Sequence, residues 1–141
     1  MAFSDIYRVS GSAMTAQTVR LNTIASNLAN AETAADSEQG VYKARRPVFA
    51  AVYQNNELMQ QRALTGARIQ VMDVVESGRA VERYEPNNPL ADDRGYVFYP
   101  DVNVVEEMAD MMSATRNFET SVEVLNSVKS MQQSLLRLGE A

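Results

Sequence analysis

Each end of the chain carries a long stretch that proline and glycine scarcely interrupt, and nothing else limits the possible folds as much. From residue 3 to about 31 there is no proline, and the only glycine is Gly11. Apolar side chains recur there at alternating spacings of four and three, along Phe3, Tyr7, Ser10, Met14, Gln17, Leu21, Ile24, Leu28 and Ala31. That is a heptad seam, and it predicts a helix on the order of 40 Å long. Gly11 and the polar seam positions Ser10 and Gln17 weaken its first half, which is expected to fray when the chain is alone in solution.

The far end mirrors this pattern. Asn103 reads as an N-cap, with Glu106 three residues on as its capping-box partner and Glu107 and Asp110 favourable near the helix start. No glycine or proline follows until Gly139, a natural stop. Val104, Met108, Met111, Phe118, Val122 and Leu125 follow a heptad; the seam is then expected to slip by one residue and continue as Val128, Met131, Leu135 and Leu138.

Between the helices the texture changes. Residues 32–40 are polar loop, and Val41 to Tyr53 reads as an edge strand or strand pair, since Pro47 cannot donate to a sheet ladder. Gln54 to Gly66 reads as mobile loop or short helix. Ala67 to Glu76 is a second strand whose alternation shifts near Asp73, the mark of a bulge. Ala80–Tyr84 and Tyr96–Tyr99 are short strands, separated by the turn signals Glu85-Pro-Asn-Asn-Pro89 and Asp92-Asp-Arg-Gly95.

The expected fold is therefore α+β. Two long terminal helices pack as an antiparallel coiled-coil-like pair, with a small β-rich module inserted between them. The divisions fall at 1–32 (first helix), 33–100 (module) and 101–141 (second helix). A pair buries one face of each helix, yet Val9, Val19, Val105, Met112 and Val124 lie off the seam. Copies of the same or similar chains would cover them. The residues expected at this assembly interface are Phe3, Tyr7, Met14, Leu21, Ile24, Asn27, Leu28, Asn30, Val104, Met108, Met111, Phe118, Val122, Leu125, Val128, Met131 and Leu135.

Composition narrows the chemistry. The 141 residues contain neither cysteine nor histidine, which removes thiolate and imidazole nucleophile schemes, disulfides and the commonest metal ligands. A formal net charge of −5 disfavours general nucleic-acid binding and docking on anionic lipid. Asp5, Arg8 and Ser10 interrupt what would have to be the apolar part of a secretory signal, and no apolar run reaches the ~18 residues of a membrane span. No cofactor and no small-molecule substrate is expected. A carboxylate pair is the only catalytic arrangement the composition permits, and nothing sets two acids on a concave, aromatic-lined surface.

Three sets of residues carry a resemblance. Gly11-Ser-Ala-Met-Thr-Ala-Gln17 with Arg20-Leu-Asn-Thr-Ile-Ala-Ser-Asn27-Leu-Ala-Asn30-Ala31 resembles the amino-terminal signature of bacterial flagellar axial proteins, the rod and hook family. Asn103-Val-Val-Glu-Glu-Met108, Ala114-Thr-Arg-Asn-Phe-Glu119 and Val128-Lys-Ser-Met131 resemble that family's carboxy-terminal signature. Tyr84-Glu-Pro-Asn-Asn-Pro-Leu-Ala-Asp92, Gly95-Tyr-Val97 and Tyr99-Pro100 are similar to its proximal-rod members.

The resemblance implies a structural subunit of the flagellar basal body, in the periplasmic rod. It further implies export without a cleaved signal by the flagellar type III export apparatus. The implied partners are copies of the chain and other rod proteins: those of the proximal rod, the rod-base adaptor and the distal rod. In such proteins the paired helices line a hollow, torque-transmitting shaft, with the β module outside them.

Several residues admit two readings. For Asn27 and Asn30, near the end of the first helix, one reading is C-terminal capping by Asn30 and the other is side-chain hydrogen bonding that fixes the turn and a neighbouring subunit. Met108, Met111, Met112 and Met131 either fill a core or supply adaptable contacts to non-identical neighbours. Glu106 and Asp110 read as solvated first-turn acids rather than metal ligands. Lys43, Arg45 and Arg46 read as a solvated or salt-bridged strand face, or as a contact with acids such as Glu82, Glu85, Asp92 and Asp93.

Overall fold

The computed structural model describes residues 3–55 and 64–139. In chain order it holds helix α1 (Phe3–Asn30), a 3-10 turn at Glu38–Gly40, strands β1 (Ala44–Asn55), β2 (Leu64–Ser77), β3 (Ala80–Tyr84) and β4 (Tyr96–Pro100), and helix α2 (Val104–Gly139). The α+β architecture matches the sequence pattern. Of the segment Gln54 to Gly66, expected as loop or short helix, residues 54–55 and 64–66 are strand and residues 56–63 lie outside the described residues.

The helices run antiparallel. The Tyr7 hydroxyl donates to Gln132 Oε1 (3.1 Å), Arg20 meets Asp110 (3.2 Å), and Asn27 Nδ2 reaches Glu107 Oε2 (3.1 Å). As the α1 number rises, the α2 number falls. Along α2 a covered seam runs through Val104, Glu107, Met111, Ala114, Phe118, Ser121, Leu125, Val128 and Gln132, in unbroken steps of three and four, with Asp110 and Val122 half-buried beside it. The slip expected after Leu125 is therefore corrected. Glu107, Ala114, Ser121 and Gln132 hold seam positions that a search for large apolar residues passes over. Met108 and Met131, each one residue to the side, imitate the spacing.

On α1 the seam lies as the sequence spaces it. Ser10, Ile24 and Ala31 are buried, Phe3, Met14, Gln17, Leu21 and Leu28 are half-buried, and Tyr7 sits at the exposed margin. Asn103 caps α2, its Oδ1 accepting from the backbone N–H groups of Val105 (3.1 Å) and Glu106 (3.4 Å).

β1 and β2 form an antiparallel ribbon lying against α1. Residues paired across such a ladder share a face. Arg45, Pro47, Phe49, Ala51 and Tyr53 therefore share one with Glu76, Val74, Val71, Ile69 and Ala67. Val48 pairs with Asp73 and Phe49 with Val71, which leaves Met72 as the extra residue of a bulge beside the expected position, Asp73. The bulge lets Val71 and Val74 face the same way although three residues apart. Helix α1 touches both strands through backbone groups: Asn27 bonds Arg45 on β1, and the Ser12 hydroxyl accepts from the Ile69 N–H on β2 (3.0 Å).

β3 and β4 make a second two-stranded sheet, extended on the β4 side by a bridge in which Ala35 and Phe98 exchange backbone bonds of 2.8 and 3.1 Å. Val97 is fully buried and Tyr99 nearly so. The buried apolar residues fall in two places: along the helix pair (Ala16, Ile24, Ala114, Val128), and from the end of α1 to the start of β1 together with β4 (Ala31, Val41, Ala44, Val97, Tyr99).

The connection from β3 to β4 is closed by its own hydrogen bonds and a ring contact. Tyr84 and Tyr96 stack edge to face at 5.4 Å. The Asp92 carboxylate accepts from the N–H groups of Tyr96 (2.8 Å) and Arg94 (2.9 Å); the bond from Tyr96 contributes most to holding its pKa below the usual aspartate value. Gly95 has φ +85°, and a Cβ there would lie 2.9 Å from the Tyr84 ring, so both conformation and space require glycine.

Candidate assembly site

Asn27 is the node at which α1, α2 and the ribbon meet. It is 1 % exposed, and its amide fills its whole bonding capacity. Nδ2 donates to the Arg45 carbonyl (3.0 Å) and to Glu107 Oε2 (3.1 Å). Oδ1 accepts from the Arg45 N–H (2.8 Å) and the Tyr42 hydroxyl (2.9 Å). Since the Tyr42 proton points at Asn27, the Ser26 hydroxyl at 3.0 Å donates to Tyr42. One helical side chain thus imitates a β-strand partner for Arg45 and binds the opposite helix as well.

Asn30 has a more local role. Its Nδ2 donates one turn back to the Ser26 carbonyl (2.8 Å), and its Oδ1 lies 3.5 Å from the Thr33 hydroxyl. Within the chain its side-chain bonds stay in the last turn of α1 and the turn that follows.

A line of alternating charge crosses the junction. Arg46 of β1 lies 3.7 Å from Glu107 and 3.9 Å from both Glu106 and Asp110, and Asp110 continues to Arg20 at 3.2 Å. Arg45 pairs with Glu76 at 3.2 Å. The acids that meet Arg45 and Arg46 within the chain therefore come from β2 and α2, as a salt-bridged strand face. The ribbon base packs beside the start of α2, while Glu82, Glu85, Asp92 and Asp93 lie on β3 and the loop that follows it.

Glu85 instead accepts from the Tyr99 hydroxyl (3.2 Å) and the Asn88 amide (2.9 Å). Burial, and then the Glu85 carboxylate, push the Tyr99 phenol above its usual pKa. Arg83 lies over the Tyr99 ring at 4.4 Å and pairs with Glu32 at 3.3 Å. Among the described residues no three acids are grouped to hold a metal ion.

The sequence-derived interface residues divide into two sets. Ile24, Asn27 and Val128 are buried, and Phe3, Met14, Leu21, Leu28, Asn30, Val104, Met111, Phe118, Val122 and Leu125 are half-buried. Tyr7, Met108, Met131 and Leu135 are exposed. Several apolar residues of α2 outside this set are more exposed still, among them Val105 at 75 % and Met112 at 61 %. The seam partners that sequence reasoning missed are Glu107, Ala114, Ser121 and Gln132. Their only signal is their three-and-four spacing from Val104, Met111, Phe118 and Leu125.

A filled helical seam, a polar node locking it to a ribbon, and further apolar side chains facing outward define a structural subunit. The comparisons specify which kind. Residues 8–34 match the family model described as flagella basal body rod protein, and residues 93–138 match that for the C-terminal region of flagellar basal body rod FlgEFG proteins. The chain is 46 % identical over 145 aligned positions to the flagellar basal-body rod protein FlgC of Escherichia coli O6:H1, covering 99 % of this chain and all of that one. Identity to FlgC of Salmonella typhimurium is 44 %, again over 99 % of this chain and all of the relative. For FlgC of Borreliella burgdorferi it is 34 %, over 96 % of each. The chain belongs to the FlgC family of flagellar basal-body rod proteins, structural subunits of the basal-body rod.

Proposed function

We propose that the chain polymerises through its paired terminal helices, residues 1–32 and 101–141, with copies of itself and with other rod proteins. The product is the proximal part of a hollow, torque-transmitting shaft. The module, residues 33–100, lies outside the helices. The rod stands in the periplasm, the subunit reaches it uncleaved through the flagellar type III export apparatus, and it has no catalytic role.

The observation that carries this reading is apolar surface left over once the internal seam is filled. Val105, Met108 and Met112 make one outward stripe on α2, and Met131, Leu135, Leu136 and Leu138 make another, all at least 50 % exposed. Monomeric proteins seldom leave such stripes uncovered. Leu28→Asp or Leu125→Asp, each placing a charge on the helix pair, is expected to abolish rod assembly and motility while export into the medium continues. Normal swimming by either variant would refute the role given to the helices.

A second expectation concerns the isolated subunit. Gly11 interrupts the first half of α1, and Ser12, Thr15 and Thr18 turn their hydroxyls back to the carbonyls of Val9, Gly11 and Met14. Gln17 Oε1 is buried with no partner among the described residues. This half is therefore expected to fray in dilute solution and to gain helix on assembly. Far-UV circular dichroism should show the gain; full helicity in the dilute monomer would contradict it.

A further inference from the structure

Glu107 occupies a seam position, where two pairing helices ordinarily place apolar side chains, and it is 3 % exposed. A carboxylate enclosed between helices opposes their pairing unless its charge is met. Two groups meet it, Asn27 Nδ2 at 3.1 Å and the Arg46 guanidinium at 3.7 Å. Arg46 belongs to β1. The orientation of the Asn27 amide depends on the same segment, because the Arg45 N–H and the Tyr42 hydroxyl both donate to Oδ1 and thereby turn the NH2 toward Glu107.

We propose that Glu107 is a positioning residue that makes pairing of the terminal helices conditional on the base of the ribbon. While Tyr42–Arg46 is unformed, α2 offers α1 a carboxylate with no cation and no oriented donor, and the helices stay apart at that level. Once the segment is set, the donor is aimed, the charge is met and the seam closes. The ribbon base thus acts as a key for the helical pair rather than as a passenger on it. Nothing in this depends on the rod reading, since it concerns contacts within one chain.

Hydrogen exchange read by mass spectrometry on the full-length chain, followed in peptides covering residues 104–118, tests it. Arg46→Leu removes the cation and is expected to speed exchange there about tenfold, a figure that allows for the partial exposure of Arg46. Glu107→Gln removes the charge but keeps an acceptor for Asn27, and should leave exchange at the unmodified rate. The double variant Arg46→Leu/Glu107→Gln should return to that rate, because no buried charge then awaits a partner. The proposal is overturned if Arg46→Leu changes nothing, or if the double variant exchanges as fast as Arg46→Leu alone. Faster exchange in Glu107→Gln by itself overturns it too.

Discussion

Replacing Asn27 with alanine is expected to lower the melting temperature by roughly 12–16 °C. The side chain is almost wholly enclosed, and its loss strands the Arg45 N–H and carbonyl, the Tyr42 hydroxyl and the Glu107 carboxylate. An unsatisfied buried group costs about 1–3 kcal/mol, and partial recovery by water brings the sum to roughly 4 kcal/mol. At about 3–4 °C per kcal/mol for a chain of this size, the stated drop follows. Asn27→Asp should do no better, since it removes both donated bonds and sets a second carboxylate beside Glu107. Differential scanning calorimetry decides the matter: a change of only 1–2 °C would mean that the node does not hold the helices and ribbon together.

The second large effect separates the internal seam from the outward stripes. Ala114 has no exposed surface, whereas Met108 is 54 % exposed. Arginine at position 114 must be enclosed with its charge or force the helices apart, and is expected to cost at least 3 kcal/mol and much of the cooperative unfolding transition. Arginine at position 108 should leave the melting temperature of the isolated chain within a few degrees and yet block incorporation into rods. Thermal melts paired with a motility assay distinguish the two. If Met108→Arg destabilises the isolated chain as severely as Ala114→Arg, the seam has been traced along the wrong face of α2.

Ala114 also shows where the sequence was legible and where it was not. The long helices, their antiparallel pairing, the Asn103 cap and the bulge beside Asp73 all follow from local patterns, because spacing, capping chemistry and strand parity are read within a few residues. The α2 seam beyond Leu125 did not follow. Hydrophobicity marks a position as buried only when a large apolar side chain sits there, and Ala114, Ser121 and Glu107 are covered for other reasons: smallness, or a partner far away in the chain. The same distance hid the node. Nothing local ties Asn27 to Tyr42, Arg45 and Glu107, residues 15, 18 and 80 positions away. That Arg45 and Arg46 would be salt-bridged was legible, but their partners Glu76, Glu106, Glu107 and Asp110 were not, since charge alone does not reveal which element packs beside which.

The two attachments of the ribbon to α1 have a mechanical consequence. Asn27 holds the backbone of β1 and Ser12 that of β2, with the Met72 bulge between them. The two bonds stand 15 residues apart on α1, about 22 Å along its axis. One bond alone would leave the ribbon free to swivel about it; two at that spacing fix the direction in which the ribbon runs along the helix.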